Sequence, residues 1–255
     1  SRTWWSRVQD PLSRGVFFTV ALTAVVAVLF IFVFVGKESL PVLLDETVMQ
    51  EASLEKCFTP QVYKAGKEPQ LSWQPVSKIP KYSFVPLVVG TLKVTFIALL
   101  FAVPLAILAA LFSVEFAPRL IREIVKPLVE ILAGIPSVVL GFFALMILAP
   151  HLKDLFGFES QLNAVVAGLA VGIAIIPIIF TVCEDAFTSV PPTYREASIA
   201  LGADRYQTAL RVVLPAALPG VFAAAVLGFG RAIGETMIVL MASGNAAILS
   251  AVMSD

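Results

Sequence analysis

Two side chains in this sequence stand where side chains of their kind are costly. Arg231 and Glu235 lie four residues apart in LGFGRAIGETM (residues 227–237), within a run from 218 to 241 that is otherwise almost wholly apolar. At helical spacing they fall one turn apart on one face, within reach of an ion pair. An arginine in the middle of a bilayer-length apolar segment costs roughly 2.5–3.5 kcal/mol on insertion scales, so it is expected to face a polar interior and a partner. Its forked, permanently charged donors fit a tetrahedral oxyanion. A carboxylate repels a bare anion but accepts a hydrogen bond from one that still carries a proton. Phosphate is protonated at neutral pH and sulfate is not, so one Arg with one Glu suits phosphate better. A structural pair that only fixes packing is the plain alternative. Gly230 and Gly234 flank the charge at a spacing that lets another helix approach closely. That helix belongs either to a second subunit or to this chain.

A second stretch, EASIALGADRYQTALRVVLP (residues 196–215), is polar between two long apolar segments. It reads as a short helix, a glycine turn and the approach to the next span. Gly202 permits the tight backbone that turns the chain, and Pro215 sets where the next helix begins. Such a turn, held at a membrane surface, passes a push into the spans on either side; an ordinary amphipathic connector is the alternative. Two lesser candidates are polar residues near apolar segments. Lys93 either draws anions inward or snorkels to the interface. Ser137, after Pro136, either donates to a substrate or satisfies backbone. His151 stands alone, so no metal is expected. The phosphate-cradling pattern G-x-x-x-x-G-K-[ST] does not occur, so any ATP must be bound by another chain.

The elements that must carry these residues follow from composition. At 58% hydrophobic and 14% charged, with a mean hydropathy of +0.91, the chain lies far from a soluble domain of about 25% charged residues. Apolar runs of the roughly 20 residues needed to cross a bilayer predict spans over 16–36, 84–114, 127–149, 162–183 and 216–242. The first is too long, and lacks the small-residue site, for a cleavable signal peptide. A Lys-, Glu- and Pro-rich stretch at 37–83 separates the first span from the rest. Charge orients the set: three basic residues fall in each of 1–15 (Arg2, Arg7, Arg14), 119–126 (Arg119, Arg122, Lys126) and 195–211 (Arg195, Arg205, Arg211). This predicts a cytoplasmic amino terminus, an inner 196–215 loop and an outer end at Asp255. Cys57 and Cys183 then lie on opposite sides and cannot pair. Prolines 104, 136 and 177 fall inside predicted spans, where neighbouring helices satisfy the freed carbonyls. Zero net charge, and the lack of any basic tract, argue against nucleic acid.

Glu196-Ala197-Ser198, then Gly202 after three intervening residues, and Val212-Val213-Leu214-Pro215 after nine more resemble the EAA loop of ABC-importer permeases. Ser stands for the third-position Ala and Val for Ile. RAIGETM, GTLKVT (90–95), ILAGIPSVVLGFFAL (131–145) and SVPPTYREASIALGA (189–203) narrow the resemblance to the PstC family of phosphate-specific permeases. The sister PstA family continues G-E-T with A-P-L, whereas Met237 follows here.

The resemblance implies an all-α integral membrane protein, a type I ABC importer permease of MetI-like helical bundle. Its regions would be 1–36 (cytoplasmic amino terminus and first span), a periplasmic 37–83, and a permease core at 84–255 with its coupling loop at 189–215. Six spans are implied and five are legible, so a sixth is expected to be missing from this sequence. The resemblance further implies a transport subunit, not an enzyme, of an ATP-driven phosphate importer in the bacterial inner membrane. Its partners would be a PstA-like sister permease, a PstB-like ATPase dimer holding ATP and Mg, and a PstS-like periplasmic phosphate-binding protein. Arg231 and Glu235 match the family's substrate path; Glu196, Ala197, Ser198 and Gly202 match its ATPase contact. Lys93 and Ser137 remain secondary path candidates. A permease for another oxyanion such as sulfate or molybdate, or a stand-alone transporter or channel, are the rival readings.

Overall fold

The computed structural model describes residues 4–45, 53–62, 71–75 and 79–244. Arg2, Asp255 and much of the charged 37–83 stretch therefore lie outside the described residues. The chain divides into two units, Ser1–Gln70 with Gln74–Ser83 and Leu71–Trp73 with Phe84–Asp255.

In the first unit, helix α1 runs Trp4–Leu44, and its Ser13–Pro41 portion is apolar enough and long enough to cross a bilayer. None of that window is buried, and Phe17, Phe30 and Phe32 are among many exposed side chains. Its hydroxyls turn inward on the helix: Thr19 donates to Val16 O at 2.8 Å and Thr23 to Val20 O at 2.8 Å. A polar group in an apolar surrounding is satisfied by its own backbone in this way. A short α2, Leu54–Phe58, is capped by Ser53, which accepts from the Lys56 N–H. Cys57 is buried there, and Ser83 donates to its carbonyl. The two-residue strands β1 (Trp73–Gln74), whose first residue belongs to the second unit, and β2 (Lys81–Tyr82) pair.

The second unit carries α3 (Val85–Glu115), α4 (Arg119–Ala133), α5 (Ser137–Phe156), α6 (Ala164–Ser189), α7 (Pro192–Ala200), α8 (Arg205–Ala216), α9 (Leu218–Ile233) and α10 (Met237–Ser243). Its centre is the contact of α3 with α6. Ala98, Ala102, Ala106 and Ala110 recur every fourth residue on α3, and all are fully buried. Across from them, a Cβ on Gly168 would lie 2.6 Å from Ile97 side-chain atoms, and one on Gly172 would lie 3.0 Å from Phe101 Cδ1. In lipid, helices gain little by hiding apolar surface from one another, so close backbone approach through small residues does the packing. Helix α9 meets α6 by the same means: a Cβ on Gly228 would lie 2.6 Å from Ile179 Cδ1. Asn163 starts α6 by accepting from the Val165 and Val166 N–H groups.

Spans expected at 16–36, 84–114 and 162–183 correspond to α1, α3 and α6. Those expected at 127–149 and 216–242 are each divided. The first becomes the amphipathic α4, none of whose residues is buried, then a break at Gly134–Pro136, then the apolar α5. Arg119, Arg122, Glu123, Lys126 and Glu130 recur at three- and four-residue steps, which gives α4 a charged face that a summed hydropathy conceals. Pro136 accordingly precedes a helix and does not kink one, whereas Pro104 and Pro177 sit inside α3 and α6. The second divided span begins with a 69° bend between α8 and α9 and is interrupted again between Ile233 and Met237. Among the described residues, four helices are long and apolar enough to cross a membrane, or five if the bent α8–α9 pair is one span.

Candidate functional site

Arg231 occupies the last turn of α9, and Glu235 lies beyond its end, in the link before α10. The pair is thus not carried by one continuous helix, as the spacing predicts. It survives because the backbone keeps turning: Gly234 N–H donates to Gly230 O at 3.2 Å and Glu235 N–H to Ala232 O at 3.3 Å. The second bond is a three-residue step, tighter than an α turn. Arg231 Nη2 lies 3.8 Å from Glu235 Oε2, at the loose end of ion-pair range. The partners differ sharply in surroundings: the Glu235 side chain is 7% exposed and the Arg231 side chain 59%. The carboxylate is held by the protein while the guanidinium is presented outward.

Two further features mark this face. A Cβ on Gly230 would meet nothing within 4 Å, so among the described residues no helix uses the close approach that glycine permits there. Helix breaks at membrane depth leave carbonyls unpaired, and these are tolerated against protein or a water-filled cavity but not against lipid. Arg231, a cation at the carbonyl end of α9, also complements the helix dipole. Lys93 lies half-buried on α3, and Ser137 is half-buried in the first turn of α5. One turn after Ser137, a Cβ on Gly141 would lie 2.9 Å from Met241 Sδ and 3.3 Å from Met237 O, so α5 is pressed against α10. That contact fixes the segment following Glu235, and the sequence reading overlooked it.

The polar stretch at 196–215 forms a compact turn. Helix α7 closes with Gly202 in a left-handed conformation, φ +87°. There Gly202 N–H donates to Ile199 O at 2.9 Å and Ala203 N–H to Ser198 O at 3.2 Å. Space is not the reason for glycine, since a Cβ would touch nothing; the backbone angle is. Helix α8 then starts on a capping box in which Asp204 accepts from the Gln207 N–H at 2.7 Å. Glu196 and Ala197 are exposed. Ser198 is not: its hydroxyl lies 2.9 Å from Thr208 Oγ1 and joins α7 to α8. The substitution of Ser for Ala in the E-A-A pattern therefore has an internal use. Tyr194, Ile199, Leu201 and Tyr206 surround Glu196 in sequence and are exposed, Leu201 at 89%. Apolar side chains so displayed at a helix end suit a docking contact.

Sequence reasoning also missed two long-range ion-pair clusters. Arg195 Nε and Nη2 donate to Glu115 Oε1 at 2.9 and 2.7 Å, while Nη1 reaches Val190 O at 2.7 Å and Nη2 reaches Phe187 O at 2.9 Å. Glu184, 2% exposed, accepts a hydrogen bond from Arg122 Nε at 3.2 Å and forms an ion pair with Lys126 Nζ at 3.5 Å, and Arg122 also donates to Thr188 Oγ1 at 3.0 Å. The second cluster fastens α4 to the end of α6. Only a charge at every third or fourth residue of 119–130 hinted at it.

Residues 102–254, more than half of the chain, match the family of binding-protein-dependent transport system inner membrane components. Over 180 residues the chain is 40% identical to a probable ABC transporter permease protein, YqgH, of Bacillus subtilis, covering 70% of this chain and 58% of that one. It is 40% identical over 182 residues to a phosphate transport system permease protein, PstC 1, of Mycobacterium tuberculosis, covering 64% and 54%. With the PstC protein of Pasteurella multocida it shares 36% identity over 193 residues, 68% and 60% of the two chains. The chain thus spans little more than half the length of these relatives. Among solved structures it is similar to the MetNI methionine ABC transporter in an inward-facing conformation, with TM-score 0.50 and 26% identity over 58% of this chain and 68% of that one. The helical bundle, the broken fifth segment and these matches agree: the chain is a multi-pass membrane protein and belongs to the family of binding-protein-dependent transport system inner membrane components.

Proposed function

We propose that this chain is the permease subunit of an ATP-driven phosphate importer, and that Arg231 lines the path of the anion. The observation that carries the proposal is the outward-facing guanidinium at a helix break, held beside an enclosed carboxylate. Its similarity to proteins named for phosphate transport supports the choice of ligand. A sister permease would cover the Gly230 face, an ATPase dimer would dock on Glu196 and the exposed side chains around it, and a periplasmic binding protein would deliver phosphate. ATP and Mg reside on the ATPase chain, and hydrolysis is its work. The setting is the bacterial inner membrane with the amino terminus in the cytoplasm, as the distribution of basic residues favours.

The residues act in sequence. Phosphate released at the outer mouth meets Arg231, whose forked donors engage two oxygens. The protonated oxygen donates to Glu235, a hydrogen bond that fully ionised sulfate has no proton to make. With the path empty, Arg231 relaxes onto Glu235. Helix α7 transmits the ATPase movement that alternates access to this point. Radiolabelled phosphate uptake by the reconstituted complex tests the reading, with unlabelled sulfate and molybdate as competitors. Arg231→Gln is expected to abolish uptake in a complex that still assembles. Normal uptake, or competition by sulfate equal to that by phosphate, would contradict the assignment. Glu196→Lys is expected to uncouple ATP hydrolysis from uptake, and an unchanged response to loaded binding protein would remove α7 from the coupling role.

A further inference from the structure

We infer that Arg195 is a positioning residue whose guanidinium ties the coupling helix α7 to α3 and α6, so that the three move together. The inference rests on the coupling role proposed for α7 and specifies how a push leaves it. Only one side chain of α7, Ser198, is buried. A nine-residue helix with so little packed surface is held neither by its own hydrogen bonds nor by apolar contact. Its attachment is polar, and most of it passes through one residue.

Arg195 supplies four short hydrogen bonds, two to α3, one to the last turn of α6 and one to Val190 just past its end. Glu115 is the last residue of α3, while the Phe187 carbonyl, which also accepts from the Val190 N–H at 3.4 Å, and the Val190 carbonyl lie at the end of α6. The side chains of Arg195 and Glu115 are 23% and 10% exposed, so solvent screens the pair weakly and the bonds are charge-assisted. The planar fork matters as much as the charge. One guanidinium spans a carboxylate and two carbonyls in fixed directions, whereas an ammonium is a point donor on a flexible stem. Helix α3 is in turn locked to α6 through the Ala98–Ala110 stripe. A displacement of α7 therefore reaches the centre of the bundle through a rigid joint as well as through its chain connections.

The test uses the full-length protein assembled with its sister permease and ATPase in liposomes, with loaded binding protein outside. The readout is radiolabelled phosphate taken up per ATP hydrolysed, a ratio that loss of stability or of assembled complex does not move. For Arg195→Gln and Glu115→Gln the ratio is expected to fall about tenfold, the size of one charge-assisted hydrogen bond. The double variant should be no worse than Arg195→Gln, because both act on one joint. Arg195→Lys should recover only part of the ratio. A wild-type ratio in assembled Arg195→Gln would overturn the inference. If that variant does not assemble, a wild-type ratio in Glu115→Gln overturns it equally. Glu196→Lys separates the two claims: if it uncouples while the Arg195 and Glu115 variants do not, the joint is wrong and the coupling role stands. If it too is without effect, the coupling role itself has failed.

Discussion

Two of the Arg–Glu pairs in the second unit share their chemistry and differ in geometry. Arg195 meets Glu115 at 2.7 Å with both side chains mostly enclosed and with backbone carbonyls filling the rest of the fork. Arg231 meets Glu235 at 3.8 Å with the guanidinium largely open. A fork saturated by protein acceptors has nothing left for a ligand, so its contribution is position. A fork held loosely by one carboxylate keeps donors free, and its contribution is recognition. Residue type does not separate the two; the number and distance of competing acceptors does. The α4 cluster belongs with the first kind, since Glu184 is buried between two cations and Arg122 is further engaged by Thr188.

The comparison is broken or sharpened by substitution. The largest effect falls on the loose pair: Arg231→Gln should lower phosphate uptake by at least about a hundredfold while the melting temperature of the complex stays near wild type. A large loss of stability would place this pair with the structural ones. Next is the double variant Arg122→Ala with Lys126→Ala, which leaves Glu184 charged, buried and unpaired. Unfolding in detergent should show a loss of about 3 kcal/mol, and no loss would mean that α4 is not fastened through Glu184. Gly168→Val is expected to cost about 1–3 kcal/mol, because its Cβ would overlap Ile97. The smallest effect is that of Gly230→Ala on the isolated chain, where the added methyl meets nothing. The same change should weaken association with the sister permease in co-purification, and unaltered association would show that the Gly230 face is not that interface.

What could be read from the sequence divides along physical lines. Both ends of α3 and the start of α6 were legible, because an unbroken apolar run of bilayer length has few alternatives. The turn at Gly202 and the proximity of Arg231 to Glu235 were legible too, since both are set by neighbours within four residues. The division of 127–149 was not, because hydropathy summed over a window cannot see a helix end; the Gly134 and Pro136 breakers were the available signal. The interruption after Ile233 carries no proline at all and was hidden for that reason. Arg195 and Glu115 are 80 residues apart, and Arg122 and Glu184 are 62 apart. Partners so distant are chosen by how α3, α4 and α6 pack, and periodicity holds no record of it. The alanine stripe of α3, by contrast, repeats every four residues and could have been found.

Whether the Arg231 guanidinium faces a water-filled passage is tested most directly by chemical access. Arg231→Cys, in a chain with Cys57 and Cys183 replaced by Ser, would be assembled with its partners and exposed to a charged, membrane-impermeant thiol reagent. Modification by the water-borne reagent is the predicted result. A position that reacts only with a lipid-soluble reagent would put this side chain against lipid and contradict the account.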